Sequence, residues 1–224
     1  MIIVLCISLI LTSVVLEVFA KEHQDSLGLY AKSAVLMDAD SGRVLYGKEE
    51  EQFLANASTT KIMTCILAIE SGRLDETVTV SQHAASMPKV HLGMTTKDTF
   101  LLKDLLYSLM LESHNDSAVA IAEHVGGRVE KFAEMMNEKA KKLGLKDTNF
   151  KNAVGLDEAN HYSSAYDMAF MARELIKHEK VFSFTTIYED YLRQDTDNKF
   201  WLVNTNKLIK TYDGADGLKT GYTK

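Results

Sequence analysis

Between residues 34 and 46, two apolar blocks, AVLM and RVLY, flank the polar run DADSG. This predicts strands at 34–37 and 43–46 joined by a turn at 38–42, a β-hairpin. The next apolar block is different in kind. Residues 58–70 are apolar nearly all round, through Ile62, Met63, Cys65, Ile66, Leu67 and Ile69. That pattern predicts a central, buried helix that stops at Ser71-Gly72. Residues 100–112 carry Leu101, Leu102, Leu105, Leu106, Leu109 and Met110 at helical spacing, a second helix with a broad apolar face. The polar run SHND interrupts it, and Asp116 or Ser117 can cap a third helix that ends at Gly126-Gly127.

Residues 129–143 place Val129, Phe132, Ala133, Met136, Ala140 and Leu143 on one side, with Gly144 as the stop. Residues 145–163 lack periodicity. A further helix is predicted over 164–178, then β-rich segments around 182–191 and 200–203. The ending DGADGLKTGYTK reads as a turn feeding a strand. Strands thus flank a helical middle, which predicts an α/β fold with sheet packed against helices. No Pro/Gly/Ser-rich linker divides it, so it reads as one domain.

Composition changes this picture little. The 224 residues are 46% hydrophobic and 25% charged, the range of an ordinary globular protein. A net charge of −6 without a basic stretch argues against a nucleic-acid partner. The first twenty residues change more. MIIVLCISLILTSVVLEVFA is a long apolar run ending in Val18-Phe19-Ala20, which reads as a signal peptide cleaved before Lys21. Its alternative is an uncleaved anchor, the chain's one route to a membrane. Either sends the rest of the chain out of the cytoplasm. Removal of Cys6 leaves Cys65 alone, so no disulfide framework is possible and Cys65 reads as a small core residue.

Three short motifs carry candidate chemistry. Ser58 and Lys61 are three residues apart, one helical turn, so their side chains share a face. A lysine in a partly dry site loses affinity for its proton, and the free amine can take the proton of a nearby serine, making it a nucleophile. The plainer alternative has Ser58 capping the helix and Lys61 reaching to solvent. A second S-x-x-K, Ser86 to Lys89, contains Pro88 and cannot lie inside a regular helix. Ser113 and Asn115 sit at a break between helices, where a loop can present them to a cleft. Ser113 can relay a proton, and Asn115 can donate to a substrate carbonyl while accepting from a lysine. Lys219 and Thr220 offer a cation and a hydroxyl to a carboxylate, and Gly221 allows close backbone approach.

In this order, Ser58-x-x-Lys61, Ser113-x-Asn115 and Lys219-Thr220-Gly221 resemble the three motifs of penicillin-binding proteins and serine β-lactamases. The flanks AVLMDADSGRVLYGK, ASTTKIMT, NDSAVAIAEHVGG, LGLKDTNFKNAVGLD, HYSSAYDMA and DGLKTGYT resemble the low-molecular-mass D-alanyl-D-alanine carboxypeptidases from residue 32 to 224. Three departures stand out. Asn56 replaces a usual proline, His114 a usual glycine or alanine, and Asn152-Ala153-Val154-Gly155-Leu156 a usual Asn-Pro-His-Gly-Leu. Family members also continue past Lys-Thr-Gly into further strands. The resemblance therefore implies a β-lactamase/transpeptidase-like fold, an antiparallel sheet packed against helices, whose catalytic domain (residues 21–224) here lacks its last strands.

The resemblance also implies a serine peptidase, free of metal or other cofactor, that removes the terminal D-alanine from peptidoglycan stem peptides in the cell wall or periplasm. β-Lactams are its implied covalent inhibitors. Ser58 is the implied nucleophile, Lys61 the base and Ser113 the proton relay. Asn115, Lys219, Thr220, Gly221 and Tyr222 are implied to bind substrate, with the Ser58 and Tyr222 amides as the oxyanion hole. The alternatives are a β-lactamase, for which Glu158 is the candidate water-positioning group, and an inactive wall-binding remnant.

Overall fold

A computed structural model describes residues 27–193 and 199–223; the segment read as a signal peptide lies outside them. The expected hairpin forms. Strands β1 (Ala34–Met37) and β2 (Val44–Lys48) pair antiparallel, Ala34 opposite Lys48 and Leu36 opposite Tyr46, with a bulge between Leu36 and Met37. Its turn is closed by Asp38 N donating to Arg43 O and Gly42 N to Asp38 O, while the Asp38 carboxylate accepts from Ser41 N. An aspartate that holds its own backbone two or three residues on is what makes this polar run turn.

A short 3₁₀ turn, Ala57–Thr60, leads directly into helix α1, Lys61–Glu70. Every residue of α1 from Lys61 to Ala68 is buried. The reason is its place: α3, α4, α5 and α6 (defined below) all pack on it, so no face is left for water. Cys65 is fully buried, and burial pushes its thiol pKa up, as expected for a core residue.

Strands β3 (Thr77–Thr79) and β4 (Thr99–Leu101) form a second ribbon, with α2 (Gln82–Ala85) between them. Sequence periodicity assigns residues 100 and 101 to a helix; they are strand. Leu102 N and Lys103 N donate to Glu76 O and Leu74 O, so the chain before residue 102 stays extended and α3 begins there, spanning Leu102–Leu111. The proline-containing Ser86–Lys89 stretch lies outside regular helix, as expected.

Helix α4 (Asn115–Gly126) starts before both expected caps, one residue ahead of Asp116 and two ahead of Ser117. Its N-cap is His114, without a side-chain capping bond. Asp116 lies inside the first turn, where a negative charge meets the positive end of the helix. Its carboxylate accepts from Leu92 N, Gly93 N and Met94 N at 3.0, 3.0 and 3.3 Å, which ties down the loop preceding β4. Helix α5 (Val129–Leu143) buries Phe132, Ala133, Met136 and Ala140, the stripe read from the sequence. Helix α6 (Ala165–Leu175) is capped by Ser164 Oγ, which accepts from Asp167 N.

The region after α6 departs from expectation. Residues 182–185 form a short helix, α7 (Phe182–Thr185), rather than strand. Thr185 and Thr186 return their hydroxyls to the carbonyls four residues back, and Phe184 packs its ring 5.4 Å from Tyr107 of α3. Strands β5 (Glu189–Leu192) and β6 (Phe200–Val203) form the third ribbon, followed by α8 (Leu208–Thr211). The Lys219–Gly221 segment is not a strand. Among the described residues no strand exchanges ladder bonds with it, and the strands pair as three separate ribbons rather than one sheet. The ribbons β1–β2 and β5–β6 lie against α6 and α3, around a core centred on α1.

Candidate active site

The 3₁₀ turn and the first residue of α1 bring Ser58 and Lys61 together. Lys61 Nζ lies 3.1 Å from Ser58 Oγ, 2.9 Å from Asn115 Oδ1 and 2.7 Å from the Val154 carbonyl oxygen. Lys61 is 0% exposed. The N-cap residues here are Asn56 for the 3₁₀ turn and Thr60 for α1, not Ser58. The alternative of a capping serine beside a solvated lysine is thereby excluded. Burial, with a lesser contribution from the Lys219 charge, lowers the Lys61 pKa to about 7.

The three partners of Lys61 are not equivalent. Asn115 Oδ1 and Val154 O can only accept. A neutral amine has two N–H donors and one lone pair; the donors serve these two oxygens, and the lone pair faces the Ser58 hydroxyl. The site therefore satisfies the amine in both charge states: as an ammonium it donates to all three oxygens, and as a free amine it keeps its lone pair for the Ser58 proton.

A backbone carbonyl has no side-chain signature, and sequence reasoning missed Val154. The signal that could have found it is Gly155. A Cβ on Gly155 would overlap the Ala57 carbonyl and lie 2.9 Å from Thr60 Oγ1, and the residue has φ +86°. The 153–155 loop thus presses against the Ser58 turn where only glycine fits. Thr64 Oγ1 donates to Ala153 O, which ties the loop to α1, and Thr60 Oγ1 lies 2.9 Å from His161 Nε2, whose Nδ1 accepts from Lys151 N.

Ser113, the residue after Glu112 that closes α3, has φ +71°, left-handed backbone that a non-glycine residue adopts at a cost of about 1–3 kcal/mol. Its Oγ is buried and without a hydrogen-bond partner. Asn115 serves Lys61 through Oδ1 and donates from Nδ2 towards Pro88 O at 3.4 Å. Lys219 Nζ donates to Thr220 O at 2.8 Å, and burial lowers its pKa to about 8. Thr220 Oγ1 lies 2.8 Å from Thr205 Oγ1. Gly221 lies against the base of the Ser58 turn, its Cβ direction 3.3 Å from Thr59 N. Tyr222 is 85% exposed. The structure thus joins Ser58, Lys61 and Asn115 by hydrogen bonds, sets Lys219 close enough to bias Lys61, and leaves the buried Ser113 hydroxyl, two residues before Asn115, without a hydrogen-bond partner.

Glu158 does not join this group. It is exposed, and its Oε2 accepts from Asn152 Nδ2 at 3.1 Å. A cleft of about 240 Å³ lies behind the Ser58 turn, lined by Asn56, Ala57, Thr59, Met168 and Gly221, and includes neither Ser58 nor Lys61.

Residues 19–224 match the D-alanyl-D-alanine carboxypeptidase family. The chain belongs to that family. It is 49% identical over 227 residues to the D-alanyl-D-alanine carboxypeptidase DacF of Bacillus subtilis, covering 98% of this chain and 58% of that relative. The chain therefore spans somewhat over half the length of that curated carboxypeptidase. Two solved structures share the fold. Penicillin-binding protein D2 of Listeria monocytogenes in its ampicillin-bound form aligns with TM-score 0.77 at 30% identity, over 89% of this chain and 82% of that one. A mutant of the Streptomyces K15 DD-transpeptidase aligns with TM-score 0.82 at 27% identity, over 87% and 82%. The carboxypeptidase family chain described here thus has the penicillin-binding-protein fold expected from its motifs.

Proposed function

We propose that this chain is a serine-type D-Ala-D-Ala carboxypeptidase acting on peptidoglycan stem peptides, and that β-lactams acylate it. One observation carries the reading: the fully buried Lys61 amine lies 3.1 Å from Ser58 Oγ, with its other partners restricted to acceptors. Family membership supplies the substrate class, and the ampicillin-bound relative supports the inhibitor class.

In this mechanism Ser58 Oγ attacks the carbonyl carbon of the penultimate D-alanine as its proton passes to Lys61 Nζ. The amides of Ser58 and Tyr222 hold the developing oxyanion. As the tetrahedral intermediate collapses, the C–N bond breaks and D-alanine leaves, its nitrogen taking a proton delivered from Lys61 through the Ser113 hydroxyl. Ser113, unpaired in the free protein, finds its partner in the substrate nitrogen. Water then attacks the ester carbonyl as its proton passes to Lys61; the acyl C–O bond breaks, Ser58 Oγ takes that proton from Lys61, and the shortened peptide leaves with its new carboxyl group.

The two lysines divide the labour. With a pKa of about 8, Lys219 stays mostly cationic at neutral pH and binds the terminal carboxylate together with Thr220. Lys61, at about 7, is substantially free amine there. Asn115 orients the acyl-side amide, and Gly221 lets the peptide backbone lie close. Residues 1–20, outside the described structure, act in this reading as the export signal that delivers the enzyme to the cell wall.

The β-lactamase reading is disfavoured because Glu158 makes no hydrogen bond to Ser58 or Lys61. Incubation of the purified chain with a peptide ending in D-Ala-D-Ala should release one equivalent of D-alanine per peptide, and Ser58→Ala should reduce release to background. Rapid turnover of a chromogenic cephalosporin would support the β-lactamase instead. Absence of D-alanine release from natively folded protein would refute the carboxypeptidase reading and leave the inactive wall-binding one.

A further inference from the structure

His114, between the two residues of the second motif, is 4% exposed. Its Nε2 lies 3.0 Å from Glu112 Oε2, and its Nδ1 2.8 Å from Ser108 Oγ. Ser108 Oγ lies 2.6 Å from Ser117 Oγ. An ionised carboxylate only accepts, so Nε2 carries the proton and donates to Glu112. Nδ1 then accepts from the Ser108 hydroxyl, and Ser108 Oγ accepts from Ser117. The chain Ser117, Ser108, His114, Glu112 is complete with a neutral imidazole.

Glu112 extends this chain across the site. Its other oxygen, Oε1, accepts from Val203 N of β6 at 2.7 Å. Two residues further, Thr205 donates from N and Oγ1 to the Leu111 carbonyl at 2.9 and 3.0 Å. Thr205 Oγ1 in turn lies 2.8 Å from Thr220 Oγ1. An unbroken run of hydrogen bonds and short backbone segments therefore leads from the loop of Ser113 to Thr220. That loop needs holding, because Ser113 sits in the left-handed region with no side-chain bond of its own.

We propose that His114 is a positioning residue: with Glu112 it clamps the Ser113–Asn115 turn to β6 and, through Thr205, to Thr220. The proposal rests on the reading of Ser58 and Lys61 as the reacting pair. A glycine or alanine at this position would leave Glu112 Oε2 without its donor and Ser108 without its acceptor.

Acid opposes the clamp. A proton on Nδ1 turns it from acceptor to donor, so Ser108 must point its hydroxyl at Ser117, which then needs a new acceptor. Burial lowers the His114 pKa, with His91 and Lys61 acting in the same direction and Glu112 and Asp116 against it. The unfolded chain therefore binds this proton more readily, and the clamp's support is lost as pH falls below 6.5 towards the lowered native value.

The test uses the full chain labelled with ¹⁵N, as wild type, His114→Gly and His114→Gln. Ring-nitrogen spectra of the wild type should show the Nε2–H tautomer at pH 7. Amide protons of Val203 and Thr205 should exchange at least about tenfold faster in His114→Gly, the scale of one charge-assisted hydrogen bond. His114→Gln, whose amide N–H reaches towards Glu112, should recover most of that protection. The acidic limb of Ser58 acylation by a fluorescent penicillin should change shape in His114→Gly. Equal exchange at Val203 and Thr205 in folded wild type and His114→Gly overturns the clamp. So does an Nδ1–H tautomer in the wild type, a measurement that does not depend on the variant folding. Clamp signatures as expected in a wild type that takes up no penicillin would uphold the clamp and count against the Ser58–Lys61 reading.

Discussion

Lys61→Met will slow acylation of Ser58 by about 10²–10⁴-fold, the contribution of a positioned general base. Methionine roughly fills the volume of the lysine stem, so the packing of α1 is kept while the amine is lost. Lys61→Arg will fail as badly, because a guanidinium stays charged and offers no lone pair. In the wild type the acylation rate should rise as the Lys61 amine deprotonates, with a midpoint near its pKa of about 7, and fall again as Lys219, at about 8, loses the charge that holds the carboxylate. Time-resolved labelling with a fluorescent penicillin across pH 5–9 reads all three. A Lys61→Met protein that is folded and acylated at the wild-type rate would show that another group takes the serine proton.

Gly155→Ala is the second large effect. The added Cβ overlaps the Ala57 carbonyl, and Gly155 sits at φ +86°. Left-handed alanine costs about 1–2 kcal/mol and overpacking about 1–3 more. The expected destabilisation is therefore about 2–5 kcal/mol, read from the urea midpoint. Acylation should fall further than stability alone explains, because relief of the clash moves either Ala57, next to Ser58, or the Val154 carbonyl that holds Lys61. An unchanged midpoint and rate would mean that the loop does not press on the Ser58 turn as described.

These two sites show what was legible in the sequence. Ser58, Lys61 and Asn115 were readable because a spacing of three across one turn, here the 3₁₀ turn leading into α1, and a motif at a helix start dictate geometry locally, and the structure joins them by hydrogen bonds. The helices were readable where burial follows period, as in Val129–Leu143. The Val154 carbonyl was not, since a backbone acceptor in an aperiodic loop leaves no mark beyond its glycine. Residues 100 and 101 were misread because apolar strand and apolar helix look alike until a partner strand is known; that partner, Thr77–Thr79, is three residues long. Phe182–Thr185 lies in a segment expected to be β-rich; its residues favour strand, and the short helix there packs Phe184 against Tyr107 instead. The Lys219–Gly221 segment was expected as strand, a state that depends on hydrogen bonds to a neighbour that local sequence cannot supply.

The central claim is that Ser58 is activated by an unprotonated lysine one turn along its chain. It is tested most directly by titrating Lys61 itself, following the side-chain ¹³Cε and ¹⁵Nζ resonances in lysine-labelled protein and assigning them by their loss in Lys61→Met. The account predicts a midpoint near 7. A midpoint near the ordinary lysine value of 10.5 would contradict it, because the amine would then be a cation throughout the neutral range and hold no lone pair for the serine proton.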